Sequence, residues 1–406
     1  MNWGTIRFGD LYSTESRNGL TKPSKIRGSG YKMINMGELF ANDRIYDIPM
    51  ELAPLKDTEK INAKIEIGDL LFARQSLVLE GAGKCSIVME VSPLTVFESH
   101  LIRVRLDRKR ALPMFYYYYF KSPLSPMASI VSQCAQAGIR GSDLQELNVI
   151  FPPLYIQNKI AQILSYYDDL IENNQKQIKL LEEAAQRLYK EWFIDLRFPG
   201  HETTPIVDGV PEGWKVDRAD TFFNMSIGKT PPRAEKQWFT DGDKGTPWIS
   251  ISDMGNSGTY VFHSTEGLTA EAISKHNVRV VPADTILVSF KLTVGRVSIT
   301  TTNTCTNEAI AHFLIPDGFL REYTYLYLKC FEYDSLGNTS AISKAVNSKI
   351  IKAMPFVMPD SEILQRFHQV GKPILEEIKN KQKTNIYLAE ARDRLLPKLM
   401  SGEIEV

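Results

Sequence analysis

Between Ile156 and Phe193, large side chains recur at Ile160, Ile163, Tyr167, Ile171, Ile178, Leu181, Ala185, Leu188 and Trp192, in steps of three and four or their sum. Polar residues fill most of the positions between them, and neither Gly nor Pro interrupts the run. That period predicts one amphipathic helix, ~50 Å long at ~1.5 Å per residue. A rod of this length needs something to lie against. The chain supplies it: displaced on itself so that Ile171 falls on Ile378, the sequence also sets Asn173 on Asn380, Gln175 on Gln382, Leu181 on Leu388, Glu183 on Glu390, Arg187 on Arg394 and Leu188 on Leu395. One rod is written twice, in two near-equal halves, which implies pseudo-twofold symmetry within a single polypeptide. Asn174 stands level with Lys381, and Ile178 with Asn385, so the seam is partly polar and fixes register at some cost in stability. Pro373 falls where the first rod has Tyr166 and predicts a start or a kink in the second.

The remainder of each half reads as short strands and turns. In the first, Leu70–Ala73 is a buried strand after a Gly68-Asp69 turn, a second turn at 81–84 leads into Cys85–Val91, and His100–Leu106 is a third strand. Met114–Pro123 places four tyrosines between two phenylalanines and predicts a core-packed segment rather than a base-stacking platform. Asn148–Phe151 is a last strand, stopped by Pro152-Pro153. The second half repeats this plan with little identity. Val280–Phe290, the Gly295-Arg296 turn with its following strand, the aromatic run Tyr323–Phe331 and the proline-flanked Met354–Pro359 take the corresponding places.

Composition changes the picture mainly by exclusion. The 406 residues carry 48 basic and 48 acidic side chains, so any nucleic-acid contact comes from local patches and not from a whole-molecule field. No apolar run reaches membrane-spanning length and the N-terminus has no signal-peptide pattern, which predicts a cytosolic protein. Cys85, Cys134, Cys305 and Cys330 are scattered, which argues against a disulfide framework or a zinc site and suggests core thiols. The six histidines never pair at metal-binding spacing. A phosphate loop ending at Gly83-Lys84 or Gly228-Lys229 needs glycine where Val78 and Phe223 stand. Pro359-Asp360 with Glu377 and Lys379 formally fits a nuclease spacing, but Glu377 and Lys379 fall on the second rod and not on strands.

Local basic patches do exist. Arg17, Lys22, Lys25, Arg27 and Lys32 sit among Gly, Ser and Pro, and the segment Ser226–Pro247 takes the corresponding place in the second half. A loop of this kind suits a phosphate backbone, although the commoner reading is a solvated loop. The candidate DNA-binding residues are Arg17, Lys22, Lys25, Arg27, Lys84 and Arg140 in the first half and Lys229, Arg233, Lys236, Arg296 and Lys344 in the second.

The repeat, the segment FPPLYIQNKIAQIL, the rod ending in LLEEAAQRLYKEWF and the chain end LAEARDRLLPKLMSGEIEV together resemble the specificity subunits of Type I restriction-modification enzymes. The resemblance spans the whole chain, with MPDSEILQRF an altered version of the first half's proline motif. It implies a mixed α/β (α+β) fold: a target-recognition domain at 1–154, a spacer helix at 155–198, a second recognition domain at 199–360 and a second spacer helix at 361–406, the helices pairing antiparallel as a coiled coil. It implies a non-catalytic reader of an interrupted double-stranded DNA target, one half-site per domain. Two methyltransferase subunits and the restriction-translocase subunits are the implied partners, with S-adenosylmethionine, ATP and Mg²⁺ on them and no cofactor on this chain. The spacer would pack through Ile160, Ile163, Ile171, Ile178, Leu181 and Leu188 against Ile378, Leu388 and Leu395. Tyr189, Trp192 and Phe193 either pack on the adjacent domain or anchor a partner. A self-contained Mg²⁺-dependent nuclease and a protein-only scaffold are the competing readings.

Overall fold

Apolar runs flanked by turns become the central strands of a five-stranded sheet, built twice over in the computed structural model, which describes residues 3–133, 137–336 and 346–406. The chain divides into two compact units, Met1–Ile171 with Tyr387–Val406, and Glu172–Ile386. The fold is mixed α/β, and each long helix contributes to both units.

In the first unit the sheet order is Tyr12–Asn18, Leu101–Leu106, Leu70–Ala73, Cys85–Val88, Arg44–Ile45, antiparallel except for the last pair. Successive side chains of a strand point to opposite faces. Leu70 and Phe72 therefore join a core with Phe8, Phe115, Tyr116 and Phe120, while Leu71 and Ala73 join another with Met33, Ile34, Leu39 and Phe97. Burial on both faces explains why these strands read as continuous apolar runs without alternation. The tyrosine run is the helix Pro113–Lys121, with every residue from Phe115 to Phe120 buried. Ile156, Ile160 and Leu164 of the first long helix close the same core together with Leu396, Leu399 and Met400 of the second.

The second unit repeats the order with Asn224–Ile227, Ile310–Leu314, Ile286–Ser289, Val297–Thr300 and Tyr260–Val261. Here too Ile286 and Val288 face one core and Leu287 the other. The helix Arg321–Cys330 takes the place of Pro113–Lys121. The displacement that overlays the rods also carries Tyr116 onto Tyr323 and Ile150 onto Val357, and both tyrosines make the same bond. The Tyr116 hydroxyl donates to the Ile150 carbonyl at 3.0 Å, and the Tyr323 hydroxyl to the Val357 carbonyl at 2.5 Å. Two regions with few identical residues thus share one skeleton.

The long helices are Leu154–Tyr189, followed by a π turn at Lys190–Ile194, and Ser361–Ser401. The second helix runs unbroken through Pro373, which is exposed, so it does not start there. Asp360 accepts a hydrogen bond from the Ile363 amide at 3.0 Å and so caps this helix. In the second unit the two helices run antiparallel, with Phe193 against Phe367 at 4.8 Å between ring centroids and Asn174 donating to Asn385 at 2.9 Å. In the first unit Asp168 is buried, accepts from the Tyr118 hydroxyl at 2.6 Å and pairs with Arg392. Arg44 reaches Asp169 at 2.6 Å beside it.

Of the proposed packing positions, Ile160 and Ile378 are fully buried, while Ile163, Ile178, Leu181, Leu188 and Leu395 are partly buried against the cores. Ile171 and Leu388 are half-buried. Ile156, Ala161 and Leu164 are more deeply buried than most of these, because the helix packs on its own globular region as well as on the other helix. Tyr189 and Phe193 belong to the second unit's core with Tyr323, Phe367 and Trp214, and Trp192 packs against it. These rings pack within the chain, as the first of the two expectations for them has it. Cys85 and Cys305 are buried, but Cys330 is exposed, contrary to its reading as a core thiol; Cys134 lies outside the described residues. No described helix is long and apolar enough to cross a membrane.

Candidate nucleic-acid interface

The strand ends gather the cations. In the first unit, Asn18, Leu101, Ala73 and Cys85 lie at one end of the sheet, where strands of opposite direction finish and begin. Arg17, Arg74 and Lys84 stand at that end. Arg140 joins them because the Ile139 amide donates to the Arg74 carbonyl at 2.9 Å. In the second unit the matching end, defined by Ile227, Ile310, Ser289 and Val297, carries Lys229, Lys291 and Arg296. The loops of the sequence mark Arg17, Lys84, Arg140, Lys229 and Arg296, whereas Arg74 and Lys291 sit beside buried strands and carry no loop signature of their own.

The cations divide by what already holds them. Lys22 is only 8% exposed and bonds Glu59 at 2.7 Å, so it ties its loop to the helix Asp57–Asn62 and presents no ammonium to a phosphate. Arg27 is spanned by Glu51 at 2.8 Å, the Asn35 side chain and the Lys22 carbonyl. Lys84 bonds Asp43 at 3.1 Å and the Phe40 carbonyl at 2.8 Å. Burial works to raise the Asp43 carboxyl pKa, but Lys121 and Lys84 outweigh it and hold the group below the usual carboxylate range. Arg233 lies over Phe239 and Trp248, at 4.3 and 4.5 Å from the ring centroids, and meets Glu266 at 2.7 Å. Arg296 donates to the Ile251 carbonyl. These five shape the surface by bracing loops.

Arg17 is exposed and donates to Asn62 at 3.1 Å. Lys25, Arg140, Lys229, Lys236 and Lys291 are exposed and form no ion pair among the described residues, so they can meet phosphates without first breaking a bond. Lys344 lies outside the described residues. The polar side chain Gln75 stands at the same end of the first sheet, next to Arg74, with the chemistry to reach base edges.

The nuclease-like residues do not converge. Asp360 is a helix cap, while Glu377 lies ~25 Å further along the same helix and pairs with Lys381 at 3.0 Å. Lys379 lies over the Tyr260 ring. No cluster of three or more His, Cys, Asp or Glu that could hold a metal ion occurs among the described residues.

Comparison with known proteins gives a consistent result. A family model described as the Type I restriction modification DNA specificity domain matches residues 1–183 and 211–386. The chain is 26% identical over 426 residues to the Type I restriction enzyme MjaIX specificity subunit of Methanocaldococcus jannaschii, covering 100% of this chain and 94% of the relative. It is 23% identical to the HindI specificity subunit of Haemophilus influenzae, covering 91% and 94%. Among solved structures, the S subunit of a Type I restriction-modification system from M. genitalium superposes with a TM-score of 0.57 at 15% identity, covering 98% of this chain and 96% of that one.

Proposed function

Because the chain belongs to the family of Type I restriction-modification DNA specificity subunits, we propose that each of its two globular regions reads one half of an interrupted duplex target. The observation that carries this reading is the duplication of one skeleton with divergent surfaces: the same sheet order twice, with exposed cations at the same end of each. Exposed Arg17, Lys25, Arg140, Lys229, Lys236 and Lys291 supply phosphate contacts, which position the duplex. Neighbouring Gln and Arg side chains reach base edges, which specify it. With only local cationic patches on a chain of zero formal net charge, sequence-independent affinity is modest and selectivity depends on those base contacts.

The chain itself is a reader with no chemistry of its own. It directs two methyltransferase subunits and the restriction-translocase subunits in the cytoplasm, and S-adenosylmethionine, ATP and Mg²⁺ act on those partners. The long helices set the gap between the half-sites. The test is to assemble the chain with its methyltransferase subunit, map the methylated adenines on genomic DNA, and titrate binding to the mapped duplex against salt. Methylation in an interrupted motif with a steep salt dependence is expected. Binding without sequence preference supports the scaffold reading. Cleavage by the isolated chain with Mg²⁺ that Glu377→Ala abolishes supports the nuclease reading, and either result overturns the proposal.

A further inference from the structure

The two most exposed large apolar side chains among the described residues are Leu292, at 96%, and Leu77, at 89%. Both lie in the connection between the two central strands of their unit, but not at matching positions: Leu77 follows the short strand Gln75–Ser76, which pairs with Ala137–Gly138, whereas the connection that holds Leu292 is shorter and carries no strand. Leu77 lies in the hairpin between strands Leu70–Ala73 and Cys85–Val88, and Leu292 in the hairpin between Ile286–Ser289 and Val297–Thr300. Each hairpin closes through a glycine with positive φ, Gly83 at 79° and Gly295 at 86°. Surface leucines are ordinary one at a time; beside Leu77 the neighbouring Val78 and Leu79 are also exposed, at 58% and 46%, whereas Leu292 is an isolated apolar tip.

Leu292 carries a second anomaly. Its φ of 60° lies in the left-handed region that favours glycine, so this branched-tip residue is held in a costly backbone conformation while its side chain faces water. Nothing in the second unit's core needs it there. Phe290 beside it is buried and Val294 packs against the core, while Leu292 alone is turned outward. Its surroundings are cationic. Lys291 is exposed and adjacent, and Lys291 and Arg233 both act electrostatically on Glu308, whose carboxyl bonds Thr230 next to exposed Lys229. A single apolar tip among cations is a poor protein-docking face, which needs a continuous apolar centre. It does match the apolar side chains that proteins insert between base steps while cations hold the flanking phosphates.

We propose that this hairpin is a wedge, with Leu292 entering between two adjacent base pairs of the bound duplex. The inference rests on the DNA-reading function proposed above and adds a site of local duplex distortion to it. The insertion unstacks a step, so flexible pyrimidine-purine steps accept it most readily and the hairpin contributes selectivity without a base-edge hydrogen bond.

The test uses the complex with the methyltransferase subunit and a mapped target duplex carrying 2-aminopurine at successive positions through and beside each half-site. Leu292→Gly suits the experiment because glycine relieves the positive φ, so the variant keeps or raises its Tm and folding is not in question. In the parent complex, fluorescence rises at one step of one half-site. In Leu292→Gly that rise disappears and Kd increases ~10-fold, the order expected for losing one buried leucine. An unchanged Kd and fluorescence pattern in Leu292→Gly overturns the wedge while leaving the DNA-reading function standing. Loss of the methyltransferase subunit from the variant, with the 2-aminopurine signal intact in what remains assembled, shows that the tip docks protein and also overturns it. A parent complex with no sequence-selective binding removes both proposals together.

Discussion

His312 shows what a single side chain contributes to this skeleton. It lies fully buried on the inner strand Ile310–Leu314, with Nδ1 2.8 Å from the Ser226 hydroxyl and Nε2 2.7 Å from the Thr306 hydroxyl. Burial, with a smaller push from Arg279, lowers its pKa from 6.5 to about 4. Above pH 6.5 the ring is neutral in the folded and the unfolded chain and has no effect on the pH dependence. As pH falls from 6.5 towards 4, the unfolded chain takes up a proton that the folded one refuses, so stability is lost across that window, by ~3 kcal/mol at its lower end. Urea midpoints of wild type and His312→Gln, measured from pH 7 to pH 4, are expected to show a shallower decline in the variant between pH 6.5 and 4. Equal slopes would mean that the imidazole is protonated or solvated in the fold. The residue scale also shows where sequence reading stops. Lys22, Arg27 and Arg233 looked like free loop cations, but their carboxylate partners Glu59, Glu51 and Glu266 lie tens of residues away and only the tertiary fold brings them into reach.

Elements were more legible than residues, because a helix or a buried strand leaves a periodic signature in its own segment. The rods, the strands Leu70–Ala73 and Ile286–Ser289 and the tyrosine helix all fall inside stretches marked by their apolar pattern. The pattern failed where an element serves two neighbours at once. The stripe of the first long helix holds Ile160 and Ala185 but leaves out Ile156, Ala161, Leu164 and Tyr189, which widen the buried face where the helix meets the globular cores. Pro373 does not begin the second helix, because its missing amide is tolerated on the exposed side of a helix packed along its other face. The polar seam positions are an element-scale device. Asn174 and Asn385 bond each other across the helix pair, which fixes register at the expense of apolar packing. Asn174→Leu alone is expected to lower stability by ~1 kcal/mol, through the amide it leaves without this partner. The double variant with Asn385→Leu is expected to exceed wild type while losing register specificity. Chemical denaturation of the three variants measures the first effect, and disulfide trapping between cysteines placed at matched and shifted seam positions measures the second. A double variant less stable than the single would show that the pair stabilises the helices outright.

At the scale of the whole molecule, each long helix is shared between the two units, with the division falling at Ile171 in one and Ile386 in the other. If the helices set the gap between half-sites, lengthening both at these points changes the gap and nothing else, since every side chain within either unit keeps its neighbours. Rotation decides how much must be added. Four residues advance an α-helix by ~6 Å and ~40° beyond a full turn. One base pair advances a duplex by ~3.4 Å and ~34°. Inserting four residues after Ile171 and four after Ile386 therefore matches one base pair in rotation and one to two in translation. The variant complex is expected to methylate the same half-sites with a gap longer by one or two base pairs, read directly from the adenines modified in genomic DNA. Because a helical register accepts an insert of four far better than one of two, a two-residue insertion is expected to impair assembly or binding instead of producing an intermediate gap. An insert of four that leaves the gap unchanged would mean that spacing is fixed by the partner subunits or by the duplex itself, and would restrict the helices to a role in assembly.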